Sequence, residues 1–562
     1  MIGIAVAGVF GQWLGWRLRL PAIIPLLAIG ALLGPIGGLI HPSAALGEVM
    51  RPAIGMAVAI IVFEGGLNLN LRELRSAGSG IVRLVSVALP LNWLLGTLAG
   101  HWVAGLSWPV AILVGAILVT HIFQRIVLGK VPRWKRFKGR AVLALRIGSS
   151  LISTALALLA TPTNATAAPI YDAVSLQADL RFALDTIEHQ HPNVRHSVTT
   201  AKLEHEGEKV RRQLDHPMNQ AEAWTTLAQL NPVLADGHLF IGLPDWRGQS
   251  AELIRQGTGF FPFEVRLDAE GFPVITATLG GAATPLAGRR IVRIDGRDAR
   301  AIARALLRRV HGDTPAFRKA LLAQRWWLFF AKLYGTPGAY DLVLSGPGKQ
   351  HVVAGHALPA ILQRDADFDQ LFACRIDADG TAQLTVASFV WEDKARYLRF
   401  THDCFSRVKA VGASRLVIDV SANGGGDDDM WKDGILRYIA TRPYKQGSTY
   451  LKRERTGSVT AGSIETPTQP VADDQLHFKG KVTVLIGPLT YSSAVLFSNV
   501  VRDYGFGSLA GTGGAARTRQ SGGVQSVKLP NTGLVLSYPR FVLDPPSGSR
   551  GPTYLQPDHP PQ

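Results

Sequence analysis

Apolar and polar residues are distributed in two unlike ways along the chain. In the first part they form long runs: residues 2–16, 22–40, 53–67, 84–103 and 109–122 are almost uncharged. Most of these runs approach the ~20 residues that an α-helix needs to cross the hydrocarbon core of a bilayer. The connections between them carry Arg17 and Arg19, then Arg51, then Arg72, Arg75 and Arg83, then almost nothing, then the dense group from Lys130 to Arg140. Alternate connections are basic, so the positive-inside bias places the first, third and fifth in the cytoplasm. A sixth apolar run, 141–160, follows the basic group and leads to Ala165-Thr166-Ala167. It reads either as a last span or as a signal peptide with a small-residue cleavage site. Both readings deliver the rest of the chain to the periplasmic or extracellular side of a membrane.

From residue 169 the pattern shortens. Leu176 to His191 and Ala221 to Leu230 have helical spacing, and Leu234 to Gly242 reads as a turn followed by an alternating strand. Short strands at 261–265, 274–277 and 290–296, then a helix from Ala299, predict a small strand-rich lobe. The aromatic run Arg325 to Phe330 reads as core rather than as a contact surface. From Leu384 onward strands alternate with helices, which predicts a parallel sheet covered on both faces. The expected fold class is an α-helical membrane segment of five to six spans, followed by an α/β (α+β) unit with a parallel-sheet core. The expected divisions are 1–125, 126–168, 169–255, 256–370 and 380–562.

Composition narrows the function. Over 562 residues the net charge is +17, but Lys and Arg are dispersed and no aromatic-basic array or zinc-finger spacing accompanies them. Nucleic acid is therefore not an expected partner. The two cysteines, Cys374 and Cys404, form no Cys-x-x-Cys and have no histidine cluster beside them. No metal and no cofactor is expected, and one disulfide is open to the pair in an exported domain.

Two stretches carry chemistry. Val482 to Ile486 is a short β-branched run, Gly487-Pro488 breaks it, and Ala494 to Tyr504 keeps apolar residues at helical spacing. Ser492 and Ser493 thus fall at a strand-to-helix turn, where a hydroxyl is either a nucleophile beside free helix N–H groups or an ordinary N-cap. Arg415 to Gly426 is a second buried strand, running into Gly424, Gly425 and Gly426. Together the two stretches resemble the tail-specific (C-terminal processing) serine proteases, over about residues 175–562.

The resemblance implies peptide or protein substrates and a PDZ-like insert within 256–370. It places the nucleophile on Ser492, counted back from Arg502-Asp503, and the oxyanion donors on the N–H groups of Gly425 and Ser493. In much of that family a lysine activates the serine, but its position in the stretch Ala510 to Thr518 holds Arg517. A guanidinium does not give up its proton near neutral pH. The tricorn-like branch instead has a histidine base, which matches His238 of Asp236-Gly237-His238. Asp236, Asp544 and Asp558 are the candidates for orienting it. With the lysine gone, a non-catalytic peptide-binding protein is the alternative.

Residues 1–120 resemble the opening helices of monovalent cation/proton antiporters, through Arg19-Leu20-Pro21, Gly34-Pro35 and Val62 to Leu69 with Glu64. The likeness stops before the broken helices on which exchange depends in that family. A membrane anchor is expected of this region, with ion transport as a third reading.

Overall fold

The computed structural model describes residues 169–562 apart from 347, 455, 472–474, 550–552 and 559–562, together with a few helical residues between 94 and 102. The chain divides into two compact units, Met1–Asn164 and Ala165–Gln562. The apolar runs predicted to span a membrane, and Glu64 with them, lie almost wholly outside the described residues. Among the described residues no helix is long and apolar enough to cross a membrane. The expected fold class of five to six spans is therefore corrected to the α/β unit alone. The longest described helix, Ala173–Gln190, has 18 residues, but it carries Asp179 on its buried face and Arg181, Asp185 and Glu188 on its exposed one.

The second unit is built on a five-stranded sheet in the order Phe372–Ile376, Thr381–Val386, Arg415–Asp419, Lys481–Ile486, Ser508–Gly511. The last four strands are parallel and joined by crossovers, as the alternating pattern predicted. The first is antiparallel to its neighbour, because the tight turn 377–380 reverses the chain within four residues, too short for a crossover. In Lys481–Ile486 every second residue is buried, the signature of a strand with one face on the core. The helix Ser493–Asp503 that follows is buried at nine positions, so it is packed on all sides rather than lying on the surface.

Three smaller sheets surround this core. Val459–Ser463, Thr449–Arg453, Phe541–Leu543 and Gln520–Gly522 form one. Gln525–Lys528, Val535–Tyr538 and Phe240–Gly242 form a second, so a strand from near residue 240 joins a hairpin almost 300 residues later. Ile291–Ile294, Arg297–Asp298, Ala339–Leu344 and Lys349–Val353 form the third, with the pair Phe263–Leu267 and Pro273–Thr278 beside it in sequence. Trp326 and Trp327 are fully buried, as core residues. Cys374 and Cys404 form a disulfide that ties the antiparallel edge strand to the helix Lys394–Ala410.

Candidate active site

The turn at 487–492 is tied on both sides. Gly487 N–H donates to Thr490 Oγ1 (2.9 Å), Thr490 Oγ1 donates to the Val420 carbonyl (2.8 Å), and Tyr491 N–H donates to the Asn423 carbonyl (3.0 Å). The chain then enters the helix through Ser492 at φ 53°, ψ −124°, a conformation that costs a residue with a Cβ about 1–3 kcal/mol. Ser492 makes no side-chain cap bond, and its Oγ has no hydrogen bond among the described residues. Ser493 differs: its buried Oγ donates to Asp428 Oδ1 and accepts from Trp431 Nε1 (2.9 Å). Of the two hydroxyls, only that of Ser492 is unengaged, and the N-cap reading does not account for it.

The glycine loop packs against this turn. Asn423 is fully buried; its Nδ2 donates to the Val386 carbonyl (2.9 Å) and its Oδ1 accepts from Gly425 N–H (2.8 Å). Gly425 has φ +101°, and a Cβ there would lie 2.6 Å from Ser492 Cβ, so only glycine allows the approach. The Gly425 N–H, expected as an oxyanion donor, is instead committed to Asn423. The N–H groups of Gly424 and Ser493 make no hydrogen bond among the described residues.

His238 sits two residues before the strand Phe240–Gly242. Its backbone N–H donates to Asp236 Oδ1 (2.7 Å), and its Nδ1 lies 3.0 Å from Ser521 Oγ. Ser521 Oγ donates to Asp236 Oδ1 (2.8 Å). A hydroxyl whose proton is directed at a carboxylate accepts on its other side, so Nδ1 carries the proton and Nε2 is left with its lone pair. The imidazole lies against the Tyr491 ring, centroids 4.9 Å apart. Gln520, the neighbour of Ser521, accepts from Ser492 N–H through Oε1 (3.1 Å). Consecutive residues thus hold the serine backbone and the histidine ring. No hydrogen bond joins Ser492 Oγ to His238.

Electrostatics follow from burial. Asp236 is fully buried, which alone would raise its pKa. The imidazole of His191, whose Nε2 faces Oδ2 at 3.9 Å, and the charges of His238 and His196 outweigh this and hold it well below the usual carboxylate range. His191 Nδ1 accepts from Asn193 N–H (3.0 Å), so its proton is on Nε2, toward Asp236. Burial lowers the pKa of His238, and Asp236 opposes the shift.

Arg517 is not beside the serine. Its Nη1 donates to the Ala235 carbonyl (2.6 Å) and lies 3.5 Å from Asp313 Oδ1, and its backbone N–H donates to Asp313 Oδ2 (2.9 Å). Asp313 also accepts from Gly237 N–H (3.1 Å) and Tyr491 Oη (2.7 Å). The guanidinium pins the loop that carries His238. Of the three candidate orienting residues, only Asp236 is brought to His238. Asp544 pairs with Arg519 Nε (2.9 Å) and accepts from Thr449 Oγ1 (2.5 Å), and Asp558 Oδ2 accepts from Leu509 N–H (2.6 Å). The sequence reading missed Gln520, Ser521 and Asp313, none of which lies in a distinctive motif.

The arrangement is a strained serine with an unengaged hydroxyl at a strand-to-helix turn, linked through Gln520 and Ser521 to a histidine beside a buried carboxylate. Residues 380–560 match the model of peptidase family S41. Residues 3–123 separately match the model described as sodium/hydrogen exchanger, transmembrane. No curated protein matches the chain. Among solved structures, a CPAF mutant is 12% identical, covering 69% of this chain and 93% of that one at a TM-score of 0.51. The photosystem II D1 C-terminal processing protease is 15% identical, covering 69% and 93% at 0.37. The tricorn protease is 15% identical, covering 65% and 32% at 0.24. At such identity the likeness to CPAF bears on the fold alone.

Proposed function

We propose that the second unit is a serine endopeptidase that hydrolyses peptide bonds in extracytoplasmic proteins, with Ser492 as nucleophile and His238 as base. The observation that carries this reading is the contrast within the serine pair: Ser493 is locked into the core, while Ser492 is left free at a strained turn, tethered through Gln520 beside the Ser521 that orients His238. Ser492 Oγ attacks the peptide carbonyl carbon as His238 Nε2 takes its proton. The imidazolium is held by Nδ1–H to Ser521 and by Ser521 to Asp236. The N–H groups of Ser493 and Gly424 receive the oxyanion, Gly424 taking the place first given to Gly425. The C–N bond then breaks, the proton passes from His238 to the leaving amine, and water hydrolyses the acyl-enzyme by the same steps. Substrate closure brings Nε2 to Oγ, since catalytic hydrogen bonds are often long without substrate. The disulfide supports an oxidising compartment.

The test is cleavage of unfolded protein substrates by the wild type and by the Ser492→Ala and His238→Gln variants. Cleavage lost in both variants supports the proposal; cleavage that survives either overturns it. The missing Ser492–His238 hydrogen bond and Arg517 in the lysine position favour the second reading, a peptide-binding protein without turnover. Tight peptide binding with no cleavage by the wild type would establish it.

A further inference from the structure

A cavity of about 570 Å³ is lined by His238, Gly424 and Tyr491 and also by Arg247, Arg325 and Arg364. Three guanidinium groups face one lining carboxylate, Asp365, which is already shared: Oδ2 accepts from Arg247 (3.0 Å) and Oδ1 from Arg364 (3.0 Å). Arg325 has no ion pair and no side-chain hydrogen bond among the described residues. It lies over the Trp246 ring at 4.7 Å, with Arg247 over the same ring at 4.4 Å. Its Nε is buried without a partner, and so is that of Arg364. Burial, reinforced by the charge of Arg247, lowers Arg325 to about 10, so it stays charged at neutral pH.

Native proteins rarely bury donors of a fixed cation without an acceptor, because the desolvation is not offset. An arginine fork left open toward a cavity is offset when a carboxylate enters and accepts two parallel N–H bonds. Leu321 and Ile361 line the same cavity and provide apolar wall for the methylene stem of a side chain. We propose that this cavity is a substrate subsite for a carboxylate, with Arg325 as its main partner, so that the peptidase selects peptides carrying an acid close to the bond to be cut. The proposal rests on the hydrolytic reading for its meaning but not for its test. The acid proposed here is a Glu or Asp side chain, and a free C-terminus is the rival that the experiment separates from it.

The experiment uses the full chain with Ser492→Ala, so that binding is read without cleavage. Calorimetry measures the affinity of end-capped octapeptides with Glu, Gln or Lys scanned through each position, and of one neutral octapeptide as free acid and as C-terminal amide. At one position at least, Glu should bind about tenfold or more tightly than Gln, with Lys weakest; a preference for the free acid over the amide without one for Glu over Gln overturns the side-chain subsite. Adding Arg325→Gln should abolish the preference and Arg325→Lys should keep part of it. If Arg325→Gln fails to fold, as judged by its melting curve, Arg364→Gln reports on the same cavity. Equal binding of all forms, no binding of any, or a preference unchanged in both Gln variants overturns the proposal. Fluorophosphonate labelling of the wild type separates the two claims: no labelling with the preference intact removes hydrolysis and keeps the subsite, and labelling without the preference does the reverse.

Discussion

Two adjacent hydroxyls, on Ser492 and Ser493, should respond to substitution in opposite ways. Ser493→Ala takes one hydrogen bond each from the Trp431 indole N–H and Asp428, which keep their bond to each other (3.2 Å), so urea denaturation should show a loss of about 1 kcal/mol, with Ser492 still reactive. Ser492→Gly relieves the positive φ and should raise stability by about 1 kcal/mol while abolishing cleavage. A fall in stability there would mean that the serine hydroxyl is structural. Ser521→Ala cuts the only side-chain link between His238 Nδ1 and Asp236 seen among the described residues, and kcat should fall by roughly 10² or more with KM little changed. A change confined to KM would place Ser521 in substrate binding instead. Ser492, His238 and Asp236 became candidates because the strand-turn-helix and Asp-Gly-His segments are local and could be set beside the resembling family, while each pattern alone also fits an N-cap and an ordinary turn. Ser521 and Gln520 were not: they lie in a short strand without alternation, and only tertiary folding brings them to residues 236–238 and 492. Gly425 was visible as a glycine that a close approach requires, but whether its N–H was free depended on the Asn423 side chain.

At the scale of elements, the loop 235–238 depends on Arg517. Removing its charge by Arg517→Met leaves Asp313 buried without its cation and frees the Ala235 carbonyl, a loss of about 3 kcal/mol by chemical denaturation. Arg517→Lys should not create a serine–lysine pair, because the side chain at 517 is engaged by the Ala235 carbonyl and Asp313. The four parallel strands and the serine helix could be read from the chain, since a buried β-branched run followed by helical spacing has few other solutions. The antiparallel strand Phe372–Ile376 could not, because alternation is the same for both directions of pairing. The pairing of Phe240–Gly242 with Val535–Tyr538, which fastens the segment after His238 to the C-terminal part of the chain, leaves no trace in either segment alone.

Across the whole second unit, the disulfide joins residues 30 apart in sequence, and replacing both cysteines with alanine should cost about 3 kcal/mol in urea denaturation. Acid should also weaken the fold. Burial lowers His196 to about 4, against the pull of Asp236, and lowers His311 to about 3, aided by the charge of Arg325. Below pH 6.5 the unfolded chain binds protons that these native histidines refuse, so stability falls as pH drops from 6.5 toward 4. Asp313 works the other way: burial and Asp236 push it up to about 6, so it adds stability as pH falls from 6 to 3.8. Two histidines against one carboxyl leave a net loss with acid, which denaturation midpoints across this range will show.

The account rests on Ser492 being activated by His238, and the rate of phosphonylation of the wild type by a fluorophosphonate, followed by intact mass against pH, tests it most directly. Burial keeps His238 neutral to lower pH than an ordinary histidine, so the rate should rise through a single midpoint below 6.5 and then stay level. The adduct should map to Ser492, and the rise should vanish in His238→Gln. An adduct on Ser493, or a rate that climbs only near the ~10 of a lysine and persists in His238→Gln, would contradict it.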